Sequence, residues 1–320
     1  MLKIITIAGH RIKLGEEKMV SLNIARLPSR TSIETPIVVS RSEKEGPVLL
    51  LMAGLHGDEI NGVEIIRRMI ARKYHRPDIG TTICIPVMNI YGFLNFSREL
   101  PDGKDINRSF PGSARGSLAS QVAHHTMKDI LPLIDYGLDF HTGGAKRANY
   151  PQIRCMWEDE QNRKLAGAFK APFILNSKYR DKSLRKLGIA HGKRILVYEG
   201  GESQRFDEMA INEGISGARR LMKFLGMAKV APATLRDTII LQKSVWLRAR
   251  TAGIFHATVE NGTFIREGQR IGSITDPFGE YEMKQVSPAT GYIIGLNYNP
   301  VVNHGDALLH IGIEDAKVPL

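Results

Sequence analysis

The sequence predicts an α/β fold: a mixed, mostly parallel sheet with helices on both faces, followed by a small C-terminal β-domain. Continuous apolar runs alternate with helical segments between residues 47 and 225, which is typical of buried parallel strands. Beyond residue 230 the helical pattern stops, and short strands punctuated by glycine follow. A chain of 320 residues can bury one large and one small core, and we expect domains at 1–230 and 231–320.

The elements of the first domain follow from its hydrophobic pattern. Residues 1–41 are rich in β-branched residues that partly alternate with polar ones, and they predict short strands joined by turns. Continuous apolar runs predict buried strands at 47–54, 81–88, 133–140, 171–175 and 194–198. Apolar residues at helical spacing predict helices near 59–73, 117–130 and 207–225. A long loop rich in Gly, Pro and Arg occupies residues 89–118.

The C-terminal segment contains an internal repeat. "GIFHATVENGTFIREGQRIGSI" (253–274) and "GYIIGLNYNPVVNHGDALLHI" (291–311) share a Gly-apolar start, a similar length and a similar ending. Two copies predict a small pseudo-symmetric β-domain, because a solenoid needs at least three repeats. The repeat resembles the two halves of a biotinyl/lipoyl-like barrel.

The composition makes several classes of function unexpected. The N-terminal "MLKIITIAGHRIKLGEEK" lacks the apolar core of a signal peptide, and no stretch approaches the roughly 20 apolar residues of a membrane span. Only two cysteines occur, Cys84 and Cys155, far apart and in no metal or redox spacing. We therefore expect a cytoplasmic protein without a membrane partner.

The net charge of +11 raises the question of nucleic acid, but the basic residues are scattered and no nucleic-acid-binding motif accompanies them. Local enrichment at 178–194 favours a solvated surface, or a field that draws small anionic substrates inward. Nucleic acid is not an expected partner, and binding driven by charge alone is a weaker alternative.

Polar residues follow three of the predicted buried strands. His56 and Glu59 come after the strand at 47–54, His141 follows 133–140, and Glu199 follows 194–198. Taken singly, each has a simple structural explanation, such as a polar loop that opens a helix. Because ligands collect beyond the carboxyl ends of strands in α/β sheets, we expect all four side chains to meet at one edge.

Two imidazoles and a carboxylate are a typical ligand set for a catalytic zinc ion. His56, Glu59 and His141 supply that set, so the sequence predicts one Zn²⁺ as cofactor. Glu199 suits the role of general base, because the glycines after it in "YEGGE" allow a substrate to approach. Asp139 lies two residues before His141, on the same side of the strand, where it can orient a ligand.

The loop "FSRELPDGKDINRSFPG" (96–112) lies between these ligand groups in the chain. Turn formation explains its Pro-Asp-Gly, but not Asn107 and Arg108 followed by Phe110 and Pro111. Arginines on such a loop suit recognition of a carboxylate or of a developing oxyanion.

Four motifs resemble the succinylglutamate desuccinylase/aspartoacylase family, part of the zinc carboxypeptidase-like hydrolases. They are "GLHGDE", "SRELPDGKDINRSFPG", "DFHTGG" and "YEGGE", in the family's order across residues 40–225. The resemblance implies that His56, Glu59 and His141 bind zinc and that Glu199 is the general base and acid. It further implies that Arg98 polarises the scissile carbonyl, that Asn107 and Arg108 hold the substrate carboxylate, and that Asp105 supports the loop.

The expected function is therefore zinc-dependent hydrolysis of an N-acyl amino acid or a similar small amide that carries a carboxylate. A metallocarboxypeptidase acting on short peptides is an alternative, since the same groups hydrolyse any amide beside an anchored carboxylate. A non-catalytic binding module that retains the fold is another. The sequence leaves open whether the chain forms a homo-oligomer.

Overall fold

The fold is built on one long mixed sheet, seen in a computed structural model that describes residues 4–26, 29–144, 146–234 and 236–314. The helices are α1 (Ile60–Ala71), α2 (Ile90–Asn95), α3 (Leu118–His125), α4 (Glu160–Phe169), α5 (Leu184–Ala190) and α6 (Glu208–Phe224). The strands before residue 230 are β1 (Ile5–Ile7), β2 (His10–Ile12), β3 (Glu17–Arg26), β4 (Ser32–Arg41), β5 (Val48–Ala53), β6 (Thr81–Ile85), β7 (Tyr136–Gly143), β8 (Arg147–Cys155), β9 (Phe173–Asn176) and β10 (Arg194–Glu202). The later strands are β11 (Ile239–Arg248), β12 (Gly253–Ala257), β13 (Phe264–Ile265), β14 (Arg270–Thr275), β15 (Glu282–Val286), β16 (Gly291–Asn297), β17 (Val301–Val302) and β18 (Ala307–Glu314).

The long sheet has the strand order β13-β16-β18-β11-β9-β8-β10-β7-β5-β6-β4-β3. The predicted mixed α/β fold is confirmed. Parallel pairing is limited to two central groups, β6-β5-β7-β10 and β8-β9-β11, whereas the outer strands pair antiparallel. The sheet is therefore parallel within these two groups and antiparallel between them, where β8 meets β10, and towards its edges, so the expectation of a mostly parallel sheet is not confirmed.

Helices cover the centre of the sheet on both faces. On one face, α1, α4 and α6 contribute to a core that includes the buried side chains of Leu49 and Leu51. On the other face, α3, α5 and the β1-β2 hairpin pack over Leu50 and Met52. All of β5 is buried because its alternating side chains enter both cores, which explains its continuous apolar run.

The C-terminal segment extends the large sheet. Strands β11, β13, β16 and β18 belong to it, while β12, β14, β15 and β17 form a separate four-stranded sheet. Each copy of the predicted repeat contains two longer strands around a two-residue strand. The short strand of each copy pairs with the first strand of the other copy, β13 with β16 and β17 with β12.

Several elements differ from the sequence prediction. Strands β7 and β10 continue beyond residues 140 and 198, so His141 and Glu199 lie inside strands and not after them. The helices α4 and α5 were not predicted, although Asp159 and Ser183 cap them through hydrogen bonds to Asn162 N and Lys186 N. None of the helices in the described ranges is long and apolar enough to span a membrane.

Candidate active site

The first part of the site lies between β5 and α1. His56 is in the short connection and Glu59 directly precedes the helix. Gly57 allows α2 to pack closely against this connection, because a Cβ there would lie 1.8 Å from the carbonyl carbon of Gly92. Both side chains are buried, with 3% of their surface exposed. The connection thus directs a histidine and a glutamate inward from the end of a core strand.

The carboxylate of Glu59 lies between two imidazoles. Its Oε1 is 2.8 Å from Nδ1 of His56, and its Oε2 is 2.8 Å from Nδ1 of His141. The backbone N–H of Thr142 also donates to Oε2, at 3.1 Å. One ligand atom from each of His56, Glu59 and His141 lies within 4.8 Å of the others. We call these three residues the ligand cluster.

Carboxylates also hold the outer nitrogens of both histidines. Nε2 of His56 is 3.2 Å from Asp105, and Nε2 of His141 is 2.9 Å from Asp139. Such contacts fix the orientation of an imidazole and leave the other ring nitrogen for a ligand. Asp139 lies on the same side of β7 as His141, which is the side that its spacing in the sequence predicts.

The charged groups of the ligand cluster stabilise one another. Burial opposes the charged form of each group, yet mutual attraction outweighs it: the pKa of Glu59 is held well below its usual range by His56 and His141. Burial likewise acts to lower the pKa of His141, but Asp139 and Glu59 raise it well above its usual range. The pKa of His56 is raised by Glu59 and Asp105 against the same burial effect. The cluster is therefore electrostatically balanced within the protein.

Asp105 connects the ligand cluster to the loop at 96–112. Besides contacting His56, it accepts hydrogen bonds from Arg98 Nη2 at 2.8 Å and from the backbone N–H of Asn107 at 2.7 Å. Arg98 Nη1 lies 3.3 Å from Nδ1 of His56 and 3.5 Å from Glu59. Burial acts to lower the pKa of Arg98, but Asp105 and Glu59 outweigh it and raise the pKa. Arg98 thus stays cationic beside the ligand cluster.

Asn107 and Arg108 lie in a short 3₁₀ turn on the same loop. The side-chain oxygen of Asn107 accepts a hydrogen bond from the backbone N–H of Leu184, at 3.0 Å. Arg108 Nη1 donates to the backbone carbonyl of Asn107 at 2.6 Å. Both residues line the same cavity as the ligand cluster.

Glu199 reaches this cavity from β10. The strand is parallel to β7, and its register places Glu199 beside His141. Asn149 Nδ2 donates to Oε2 of Glu199 at 2.7 Å, and Arg154 Nη1 lies 3.2 Å from Oε1. Neither Asn149 nor Arg154 was a predicted site residue. Both belong to β8, a strand that was not predicted from the hydrophobic pattern.

The cavity has a volume of about 300 Å³ and brings together all of the predicted site residues except Asp105, which lies just behind its wall. The C-terminal segment contributes Trp246 to the lining. Five arginines other than Arg98 also line it, and we call them the arginine cluster: Arg108, Arg147, Arg154, Arg180 and Arg185. The basic stretch at 178–194 was predicted as a solvated surface, but it supplies Arg180 and the buried Arg185. The other interpretation of this stretch was a field that draws small anions inward, and it agrees with the position of both arginines in the cavity wall.

The ligand cluster fits a zinc ion by the chemistry of its donors. Two imidazole nitrogens and one carboxylate are the protein ligands of many catalytic zinc centres, and such centres leave one position open. The cluster borders a cavity, and both histidines are held from behind by carboxylates. These features suit zinc better than calcium or magnesium, which prefer oxygen ligands.

Comparisons with known proteins find matches over most of the chain. The sequence model of the family described as "Succinylglutamate desuccinylase/Aspartoacylase catalytic domain" matches residues 45–225. An N-alpha-acetyl-L-2,4-diaminobutyric acid deacetylase from Halomonas elongata is 26% identical over 293 residues, which cover 87% of this chain and 85% of the relative.

Solved structures show the same fold over nearly the whole chain. A succinylglutamate desuccinylase/aspartoacylase from Rhodobacter sphaeroides matches with a TM-score of 0.83 at 24% identity, covering 94% of this chain and 96% of that one. The product-bound ectoine utilization protein EutE from Ruegeria pomeroyi matches with a TM-score of 0.84 at 21% identity, covering 97% and 98%. The family match spans more than half of the sequence, and the chain therefore belongs to the succinylglutamate desuccinylase/aspartoacylase family.

Proposed function

We propose that the protein is a zinc-dependent amidohydrolase that removes the acyl group from an N-acyl amino acid or a similar small amide carrying a carboxylate. The observation that carries the proposal is the convergence of the ligand cluster and Glu199 on one cavity. The relative from Halomonas elongata, whose name describes deacetylation of an acylated amino acid, supports the reaction class. The two buried free cysteines agree with the predicted cytoplasmic setting.

His56, Glu59 and His141 would hold the zinc ion. When bound, zinc lowers the pKa of a water molecule to about 7 and polarises a carbonyl group. Asp105 and Asp139 keep the two imidazoles oriented through their Nε2 atoms. The protein itself thus supplies a rigid, buried set of ligands beside the space for a substrate.

Glu199 is the proposed general base and acid. Its carboxylate takes a proton from the attacking water and returns it to the nitrogen of the leaving amine. Arg98 would stabilise the negative charge that develops on the acyl oxygen, because its guanidinium borders both the cavity and the ligand cluster. Asn107 and Arg108 would bind the substrate carboxylate at another point of the cavity, which fixes the amide relative to Glu199.

The size of the cavity favours a small substrate over a long peptide. About 300 Å³ is at the lower end of the range for ligand pockets. Trp246 from the C-terminal segment forms part of the wall. The space matches a molecule of the size of an acyl amino acid or a dipeptide.

The test is hydrolysis of a panel by the purified, zinc-loaded protein. The panel contains N-acetyl and N-succinyl derivatives of acidic, basic and neutral amino acids, together with dipeptides of the same residues. We expect release of the free amino acid from at least one acyl derivative and a loss of about 10²–10⁴-fold in kcat for Glu199→Gln. Release from dipeptides alone would instead identify a carboxypeptidase.

A non-catalytic module makes a different prediction. Zinc would then bind stoichiometrically, yet the whole panel would remain intact, and Glu199→Gln would behave like the parent protein. That result would overturn the proposed function while leaving the metal centre in place.

A further inference from the structure

The carboxylate of Glu199 is held at both oxygens by residues from the neighbouring strand β8. Asn149 donates to Oε2 at 2.7 Å, and Arg154 lies 3.2 Å from Oε1. Asn149 and Glu199 are each more than nine-tenths buried. The direction of the Glu199 carboxylate therefore depends on where β8 places these two side chains.

The part of β8 that carries Asn149 lies between two other strands. On one side β10 pairs Gly201 with Asn149, and on the other side β16 of the C-terminal segment pairs Gly295 with Asn149. Gln152 adds a further link, because its Nε2 donates to the backbone carbonyl of Ile294 at 3.0 Å. The C-terminal segment thus fixes β8, the strand whose side chains hold the Glu199 carboxylate.

Gly295 meets Asn149 directly. A Cβ at position 295 would lie 3.0 Å from the side-chain oxygen of Asn149 and 3.2 Å from Cβ of His310. Both distances are tighter than most Cβ contacts, so a neighbour would have to shift by a few tenths of an ångström, and the Asn149 amide is the group that can rotate away. A glycine at this place leaves the amide free to present its nitrogen to Glu199.

We propose that Asn149 and Arg154 are positioning residues for Glu199, and that the C-terminal β-segment acts on the reaction through the contact between Gly295 and Asn149. This inference rests on the proposed function, in which Glu199 transfers the proton. It gives the C-terminal segment a role in catalysis as well as in closing the cavity.

The physical reason is the short range of proton transfer. A general base works only when its oxygen is within hydrogen-bond reach of the proton, and a displacement of about 1 Å can cost on the order of 100-fold in rate. The substrate carboxylate is bound elsewhere, by Asn107 and Arg108. Movement of Glu199 should therefore lower kcat and leave KM nearly unchanged.

The test is a double-mutant cycle on the best substrate of the panel. We expect Asn149→Ala to lower kcat by about 10- to 100-fold with KM within about twofold, because a hydrogen bond to a charged group is lost. Gly295→Ala should lower kcat by about 5- to 10-fold. In the Asn149→Ala background, Gly295→Ala should have no further effect, since the group through which it acts is gone.

Gly137→Ala is the matched control. A Cβ at Gly137 would lie 3.2 Å from Ile195, a contact slightly longer than the 3.0 Å at Gly295 and away from Asn149. We expect this variant to change the unfolding temperature without the selective loss of kcat. Zinc content and unfolding temperature are measured for every variant.

If Gly295→Ala fails to fold, Gln152→Met removes the link to Ile294 and takes its place in the cycle. Equal losses from Gly295→Ala in both backgrounds, an unchanged kcat, or a loss confined to KM would each overturn the inference. A parent protein that hydrolyses nothing in the panel would instead overturn the proposed function, so the two failures are distinguishable.

Discussion

The ligand cluster and the arginine cluster line the same cavity but balance their charges in different ways. In the ligand cluster, Glu59 contacts both histidines, and Asp105 and Asp139 hold their outer nitrogens. In the arginine cluster, Arg154 contacts Glu199, but its buried Nε and the buried Nη1 of Arg185 have no hydrogen-bond partner among the described residues.

The pKa values of the arginines show the difference. Nearby carboxylates raise the pKa of Arg98, which touches the ligand cluster. Burial lowers the pKa of Arg185 to about 10, with Arg154 adding repulsion, and the pKa of Arg180 is lowered by burial and by Arg108 and Arg154. Cations that are buried beside other cations are costly unless an anion joins them. The ligand cluster thus balances its charges within the protein, whereas the charges of the arginine cluster would be balanced by an anionic substrate.

Glu59→Gln should break the ligand cluster with the largest effect. The amide cannot accept from both histidines as a carboxylate does, and it is a poor zinc ligand. We expect bound zinc to fall from one ion per chain to nearly none and activity to fall by about 10³-fold or more, as measured by elemental analysis and substrate turnover. Glu64→Gln, in the helix that follows Glu59 but outside the cavity, should keep its zinc.

Asp139→Asn tests the support behind the cluster. Loss of the charged partner of His141 should weaken zinc binding by about 10- to 100-fold, as measured by competition with a chelator. Asp129→Asn is the control, because Asp129 contacts His125 in the same way at 3.0 Å but outside the cavity. Equal zinc affinity in the two variants would contradict the assigned role of Asp139.

Arg108→Met tests the other cluster. If Arg108 binds the substrate carboxylate as proposed, its removal should raise KM by about 10- to 30-fold with a smaller change in kcat. Arg115→Met removes the same charge from an exposed position of the neighbouring loop and should leave KM within about twofold. A similar rise in KM for both variants would indicate general attraction of the substrate and not a specific contact.

The two clusters also differ in how far sequence could predict them. His56 and Glu59 follow a buried strand and His141 lies near the carboxyl end of another, so the hydrophobic pattern and the topology rule together were enough to bring them to one place. Asn149 and Arg154 depend on the register between β8 and β10, and Trp246 depends on where β11 joins the sheet. Pairings between segments distant in sequence leave no local pattern. The basic composition of 178–194 likewise could not show that Arg185 is buried and that its basic neighbours are exposed.

The smallest expected effect concerns His310, whose pKa is affected by two members of the arginine cluster. It is buried and stacked on Trp246, with ring centroids 4.0 Å apart and planes at 5°. Burial, with Arg154 and Arg180, lowers its pKa to about 3. The unfolded chain takes up a proton below about pH 6.5 but the folded protein resists it, so the free energy of unfolding decreases as the pH falls from 6.5 towards 3.

His310→Phe keeps an aromatic ring on Trp246 and removes this proton linkage. Between pH 8 and pH 5.5, the parent protein should lose about 1.4 kcal/mol of stability relative to the variant, measured by denaturant unfolding at both values. The gap between the two proteins at pH 8 serves as the internal control, since it reports packing alone. A gap that stays constant with pH would mean that neither burial nor the repulsion from Arg154 and Arg180 disfavours a protonated His310, and the contrast between the two clusters would then rest on hydrogen bonding and not on charge.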